Sequence, residues 1–84
     1  MFTVILKRSG QKEAFMPKKI TEAIFKAAKA VGGEDYARAE QLTEQVVDIL
    51  RLTFGDRCPG VEDIQDTVER VLIKNGHAKT AKAY

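Results

Sequence analysis

The chain has 84 residues and a formal net charge of +2, with 44% hydrophobic and 31% charged residues, an ordinary composition for one small globular domain. A chain of this length buries a core of modest size and cannot enclose a large active site. No apolar run approaches the ~18 residues of a membrane span, and a single Cys58 excludes an internal disulfide. We therefore expect a cytoplasmic protein without a membrane partner.

The small net charge conceals an uneven distribution of charge along the chain. Residues 1–29 contain seven Lys or Arg and two Asp or Glu, whereas residues 34–69 contain three basic and ten acidic residues. Residues 70–84 contain four basic residues and no acid. If the two basic ends meet in space they form one positive site; otherwise the solvated faces merely differ in sign.

The chain opens with a predicted β-hairpin. Residues 2–8 are rich in β-formers, Ser9-Gly10 permits the positive φ of a tight turn, and residues 12–16 return antiparallel. Strict alternation along the first strand places Ile5 and Lys7 on one face and the next residue, Arg8, on the other. Arg8 could still swing to the side of Lys7 at the twisted turn, but strict alternation does not predict this.

Three amphipathic helices and a short fourth are predicted after the hairpin. Their ranges are 17–31, about 34–54, 61 or 62 to 75, and 77 onward. The expected fold is α+β, with a small hairpin capping a four-helix bundle, or a three-stranded sheet if part of 55–60 is extended. Spacings of three and four predict these buried residues: Ile20, Ile24, Ala27, Ala28 and Val31, then Tyr36, Ala39, Leu42, Val46, Ile49, Leu50 and Phe54, then Val61, Ile64, Val68, Val71 and Leu72.

The start of the first helix indicates an anion site. Pro17 suits the first helical position, and Met16 stands where a capping Asp, Asn or Ser is expected. Lys18 and Lys19 follow at the end of the helix that already carries a partial positive charge. This arrangement is unfavourable unless an anion binds there, and a phosphate chain is the anion that helix starts commonly hold.

Catalytic chemistry is disfavoured by the residues present. His77 is the only imidazole, and neither a P-loop nor a dinucleotide fingerprint occurs. Asp63 and Asp66 are more typical of a helix start than of a metal site, so we expect no enzyme and no protein-bound metal. Glu13 is the one acid of the hairpin; it either accepts a hydrogen bond from a ligand amine or pairs with Lys7 across the strands.

Two separated segments resemble a known family. Ile5-Leu-Lys7-Arg8-x-Gly10-x-x-Glu13, followed by Lys19-Ile20, resembles the opening of the ATP-cone, a regulatory domain at the N-terminus of many ribonucleotide reductases. Residues 63–69 and 75–84 resemble the end of that domain, and the likeness is closest to the oxygen-independent and cobalamin-dependent reductases. Residues 1–84 are therefore expected to form one ATP-cone domain, excised from a longer chain.

The resemblance implies a function and a site. The domain would bind ATP or dATP between sheet and helices, with any Mg²⁺ carried by the nucleotide, and regulate a reductase catalytic domain without catalysis of its own. ATP would leave the reductase active, and dATP would favour an inhibited oligomer assembled through the cone. Ile5 would pack on the nucleotide, Lys7, Arg8 and Lys19 would contact phosphate, and Glu13 would recognise the adenine amine. The implied nucleotide-binding set is Ile5, Lys7, Arg8, Glu13, Met16, Lys19, Ile20, Val61 and Gln65.

Two positions depart from the family pattern. Methionine occupies position 16, where the family often has Asn or Asp, and Gln65 replaces a histidine found in some members. Two other interpretations therefore stay open: a module that uses the basic ends to bind nucleic acid or protein, and a degenerate cone that no longer binds nucleotide. We favour adenine nucleotides as ligands and expect no nucleic acid partner.

Overall fold

The computed structural model describes all 84 residues as a hairpin followed by four helices. The elements are β1 (Val4–Leu6), β2 (Lys12–Ala14), α1 (Pro17–Ala30), α2 (Tyr36–Phe54), α3 (Val61–Lys74) and α4 (Ala78–Ala83). Helix α1 packs against α2 and α4, and α3 packs against the same two helices, which produces a four-helix bundle and confirms the α+β prediction. No helix combines the length and the hydropathy that a membrane span requires.

The hairpin is short and tightly turned. Gly10 has a φ of +88°, a conformation that glycine adopts without steric cost, as the Ser9-Gly10 turn predicted. In the antiparallel register Ile5 lies directly opposite Glu13. Because directly opposite residues project from the same face of a sheet, the register places the Glu13 carboxylate beside the Ile5 side chain.

The loop between α2 and α3 runs alongside β1. The Phe2 amide donates to the Gly55 carbonyl oxygen at 2.8 Å, and the Leu6 amide donates to the Pro59 carbonyl oxygen at 2.9 Å. The sheet itself has two strands, and the extended segment considered within residues 55–60 amounts to a single parallel bridge between Leu6 and Gly60. These bonds hold the first residues of α3 beside the end of β1.

The hairpin contributes directly to the hydrophobic core. Phe2 and Ile5 are buried together with one face of each of the three long helices, and the Phe15 ring meets Phe2 edge to face with centroids 4.9 Å apart. Apolar burial of this kind is the main source of stability in a small domain. The core residues are Phe2, Ile5, Ile20, Ile24, Ala39, Leu42, Val46, Leu50, Ile64, Val68, Val71 and Leu72.

Six residues predicted to be buried are not fully buried: Val31 and Ile49 are exposed, and the half-buried ones are Ala28, Tyr36, Phe54 and Val61. Helix α1 ends at Ala30, so Val31 lies outside it and is 42% exposed. Ile49 is 40% exposed, whereas Val46 and Leu50 on the same helix are fully buried. Successive helical residues are rotated by about 100° around the helix axis. Ile49 therefore lies at the edge of the apolar face of α2, whereas Leu50 points into the core.

Two buried threonines join α1 to α2, and the apolar pattern did not reveal them. The Thr21 hydroxyl donates to the Thr43 hydroxyl at 2.7 Å, and the Thr43 hydroxyl donates to the Ala39 carbonyl oxygen at 2.8 Å. Because both hydroxyls have partners, their burial is compatible with a stable core.

Replacing Leu50 by alanine tests the position of the core. Leu50 is 0% exposed and Leu52, two residues further along α2, is 81% exposed. Leu50→Ala should lower the free energy of unfolding by about 2–5 kcal/mol because it removes buried apolar contacts and leaves a cavity. Leu52→Ala, the matched control, should change it by less than about 0.5 kcal/mol. Urea unfolding followed by circular dichroism measures both, and equal effects would contradict the assigned orientation of α2.

Candidate functional site

A mainly apolar cavity of about 150 Å³ lies between the hairpin, α1 and α3. Its polar groups come from three elements: Glu13 on β2, Lys19 on α1 and Gln65 on α3. Seven of the nine residues predicted for the site line this cavity. The complete lining is Ile5, Glu13, Ala14, Phe15, Met16, Lys19, Ile20, Val61, Ile64, Gln65 and Tyr84.

A charged groove of about 410 Å³ adjoins the cavity at Val61, which lines both. The groove contains the other two predicted residues, Lys7 and Arg8. It is formed by the end of β1 and the start of α3, which the α2–α3 loop holds together. Its lining is Leu6, Lys7, Arg8, Gly60, Val61, Glu62 and Asp63.

The prediction from strict alternation that Lys7 and Arg8 lie on opposite faces is wrong, because both residues line the groove. Strand β1 ends at Leu6, and Arg8 lies in the turn, where the two-residue repeat of a strand no longer applies. The Lys7 amide donates to the Gln11 carbonyl oxygen at 2.8 Å, which closes this turn.

Both groove cations face carboxylates. Lys7 Nζ lies 4.0 Å from Glu13 Oε2, and Arg8 Nε lies 3.5 Å from Glu62 Oε1. Arg8 Nη2 also donates to Gln65 Oε1 at 3.1 Å. These pairs are solvated, and ion pairs of this kind contribute little to stability, so they can be exchanged for other partners at low cost. Glu13 thus lies near Lys7, as the cross-strand interpretation expected, and it also lines the cavity.

Helix α1 begins without a polar cap. Met16 occupies the N-cap position and makes no side-chain hydrogen bond to the helix, and the first turn contains no acid. Helix α2, by contrast, is capped by Asp35, whose Oδ1 accepts from the Arg38 amide at 2.9 Å. The positive end of α1 therefore remains uncompensated beside the cavity, with Lys19 in its wall.

Tyr84 is a cavity residue that sequence reasoning missed. It follows α4, which packs against α1 and α3, and its ring closes one side of the cavity. Tyr84 is 37% exposed, and its partial burial raises the pKa of the phenol. None of the basic residues of 70–84 lines the cavity or the groove, so the C-terminal end reaches the site through an aromatic ring and not through a cation.

A larger cavity, of about 330 Å³, opens elsewhere on the bundle but has none of the predicted site residues in its wall. Its one arginine, Arg38, already donates from Nε to His77 Nε2 at 3.4 Å and from Nη2 to Asn75 Oδ1 at 3.3 Å. No group of three or more His, Cys, Asp or Glu is placed to hold a metal ion. The candidate site is therefore the cavity and groove beneath the hairpin.

Comparison with protein families agrees with this architecture. The model of the ATP cone domain matches residues 3–84, which is nearly the whole chain. The chain therefore belongs to the ATP cone domain family.

Its curated relatives include ribonucleotide reductases of several kinds. The vitamin B12-dependent ribonucleoside-diphosphate reductase of Thermoplasma acidophilum is 44% identical over 73 residues, which cover 87% of this chain and 9% of that protein. The ribonucleoside-diphosphate reductase subunit alpha of Chlamydia muridarum is 35% identical, covering 95% of this chain and 8% of the relative. The anaerobic ribonucleoside-triphosphate reductase of Salmonella typhimurium is 31% identical, covering 95% and 11%. The chain thus spans about a tenth of the length of these relatives.

The ionisation of Tyr84 tests its place in the cavity wall. Tyr36→Phe leaves Tyr84 as the only tyrosine of the chain. In the folded variant, absorbance at 295 nm should then report a phenol that ionises above the ordinary value of 10.0, because burial disfavours the phenolate. In denaturant the same phenol should return to its ordinary value. Ionisation at the ordinary value in the folded variant would contradict the partial burial of the phenol.

Proposed function

We propose that this chain is an allosteric domain that binds ATP or dATP and has no catalytic activity of its own. The observation that carries the proposal is the apolar cavity, with one carboxylate in its wall, that joins the charged groove of Lys7 and Arg8 at Val61 in an ATP cone domain. An apolar compartment suits a base, and the lysine and arginine of the groove suit phosphates, so the pair matches the two ends of a nucleotide.

The base would occupy the cavity. Ile5 and Ile20 offer apolar contacts to its faces, and Glu13 offers the carboxylate. A carboxylate accepts hydrogen bonds only, so it would recognise the exocyclic amine of adenine and disfavour a base that presents a carbonyl oxygen there. Met16 adds a further apolar contact, which leaves adenine recognition mainly to Glu13.

The triphosphate would extend past Val61 into the groove. Lys7 and Arg8 would bind it there, and Lys19 with the uncapped start of α1 would add positive potential from the side of the cavity. Guanidinium and ammonium groups form charge-assisted hydrogen bonds to phosphate oxygens, the stronger class of hydrogen bond in proteins. Any Mg²⁺ would arrive with the nucleotide.

Regulation would follow from the attachment of this domain to a reductase. The matched relatives are ribonucleotide reductases of which the aligned region is about a tenth. We propose that residues 1–84 are one regulatory domain of such a chain, with the catalytic domain and cone-mediated oligomers as its partners. An effector shifts an equilibrium between two states of a reductase only if it binds the two states with different affinity. ATP and dATP would therefore have to differ in their relative affinities for these two states.

Calorimetric titration of the chain with ATP, dATP and GTP tests the proposal. ATP and dATP should bind, and GTP should bind at least about tenfold more weakly, because its base presents a carbonyl oxygen to Glu13. Glu13→Gln should weaken ATP binding and narrow the difference between ATP and GTP, since an amide can also donate a hydrogen bond. Equal binding of the three nucleotides would exclude adenine recognition, and no binding by the folded chain would identify a degenerate cone.

Lysine substitutions test the groove. Lys7→Gln should weaken ATP binding by about tenfold or more, the loss expected for one charge-assisted hydrogen bond. Lys26→Gln is the matched control, because it removes the same charge from the exposed face of α1 outside the cavity and groove. Calorimetry at fixed ionic strength compares the two variants. Equal losses would show that only net charge matters and would remove Lys7 from the site.

A further inference from the structure

We propose that Glu62 competes with bound phosphate for Arg8, so that the Arg8–Glu62 pair acts as a self-inhibiting contact of the nucleotide site. This inference rests on the proposed function and concerns its regulation. Glu62 lines the groove, and its side chain makes this ion pair and no other hydrogen bond or ion pair.

Arg8 connects the groove with the cavity. It projects from the hairpin turn and contacts two residues three positions apart on α3, Glu62 and Gln65. Gln65 lines the cavity and Glu62 lines the groove. The guanidinium therefore spans the boundary between the two compartments, the region that a nucleotide must cross.

The side chains of the two acids at the start of α3 differ in whether they make a structural hydrogen bond. Asp63 Oδ2 accepts a hydrogen bond from the Gly60 amide at 2.8 Å, which caps the helix. Glu62 makes only the 3.5 Å contact with Arg8 Nε, and its side chain is 74% exposed. Glu62 can therefore move away from Arg8 without loss of a structural hydrogen bond, whereas movement of the Asp63 side chain would break its hydrogen bond with the Gly60 amide.

Phosphate binding would exchange one anionic partner of Arg8 for another. A phosphate presents more acceptor oxygens and more charge than a carboxylate and matches the guanidinium fork, so it displaces Glu62 when a nucleotide is present. Glu62 thus lowers the affinity for phosphate-bearing ligands by holding Arg8.

The experiment compares ATP binding by Glu62→Gln and Glu69→Gln. Glu62→Gln should bind ATP about three- to fivefold more tightly than the parent chain, the effect expected from losing one solvated ion pair. Glu69→Gln is the control, since it removes an exposed carboxylate of the same helix outside the groove and should leave ATP affinity unchanged. Circular dichroism confirms that each variant is folded. Adenosine, which lacks phosphate, should bind Glu62→Gln and the parent chain equally in an NMR titration.

The same substitution made in an Arg8→Gln chain separates competition of Glu62 for Arg8 from simple repulsion of phosphate by the Glu62 carboxylate. In Arg8→Gln chains, the additional change Glu62→Gln should no longer improve ATP affinity, because the group for which Glu62 competes is absent. An undiminished gain in that background, or an equal gain from Glu69→Gln, overturns the proposal. If the parent chain binds ATP and Glu62→Gln binds it no more tightly, this inference alone is overturned. If neither the parent chain nor Glu62→Gln binds ATP, the proposed function is overturned as well.

Discussion

Attachment of the hairpin to the helix bundle is the interaction on which the rest of this structure depends. A two-stranded hairpin is marginal in water by itself and needs a surface to pack against. Here Phe2 and Ile5 enter the core at 5% and 7% exposure, and backbone bonds to Gly55 and Pro59 hold the strand beside the α2–α3 loop. The same contacts bring the start of α3 beside the hairpin turn. Cavity and groove exist because these two parts of the chain meet.

The two compartments of the site differ in rigidity for a physical reason. The cavity is built on residues such as Ile5 and Ile20, whose side chains belong to the packed core. The groove is built on exposed cations whose partners are also solvated: a carboxylate for each cation and, for Arg8, the Gln65 amide oxygen as well. A packed wall keeps its shape, whereas solvated ion pairs are exchanged at low cost. The cavity is thus preformed, whereas the groove is able to rearrange its ion pairs.

Much of this architecture followed from local patterns. Gly10 predicted the turn, and helical spacing predicted core residues such as Leu50 and Val68. The pattern failed at Val31 and Ile49, which lie at the end and the edge of their stripes, where a local repeat does not show what covers a residue. The alternation rule failed at Arg8, because the sequence does not show where a short strand ends.

The sequence by itself determined the order of the elements, the apolar faces of the helices and the excess of cations around an uncapped helix start. These features depend on residues a few positions apart, and local geometry links them. Only the tertiary structure decided that Tyr84 closes the cavity, that Arg8 reaches Glu62 and Gln65, and that Thr21 meets Thr43. Each of these contacts joins separate elements of the chain, and its formation depends on how hairpin, helices and loop pack together.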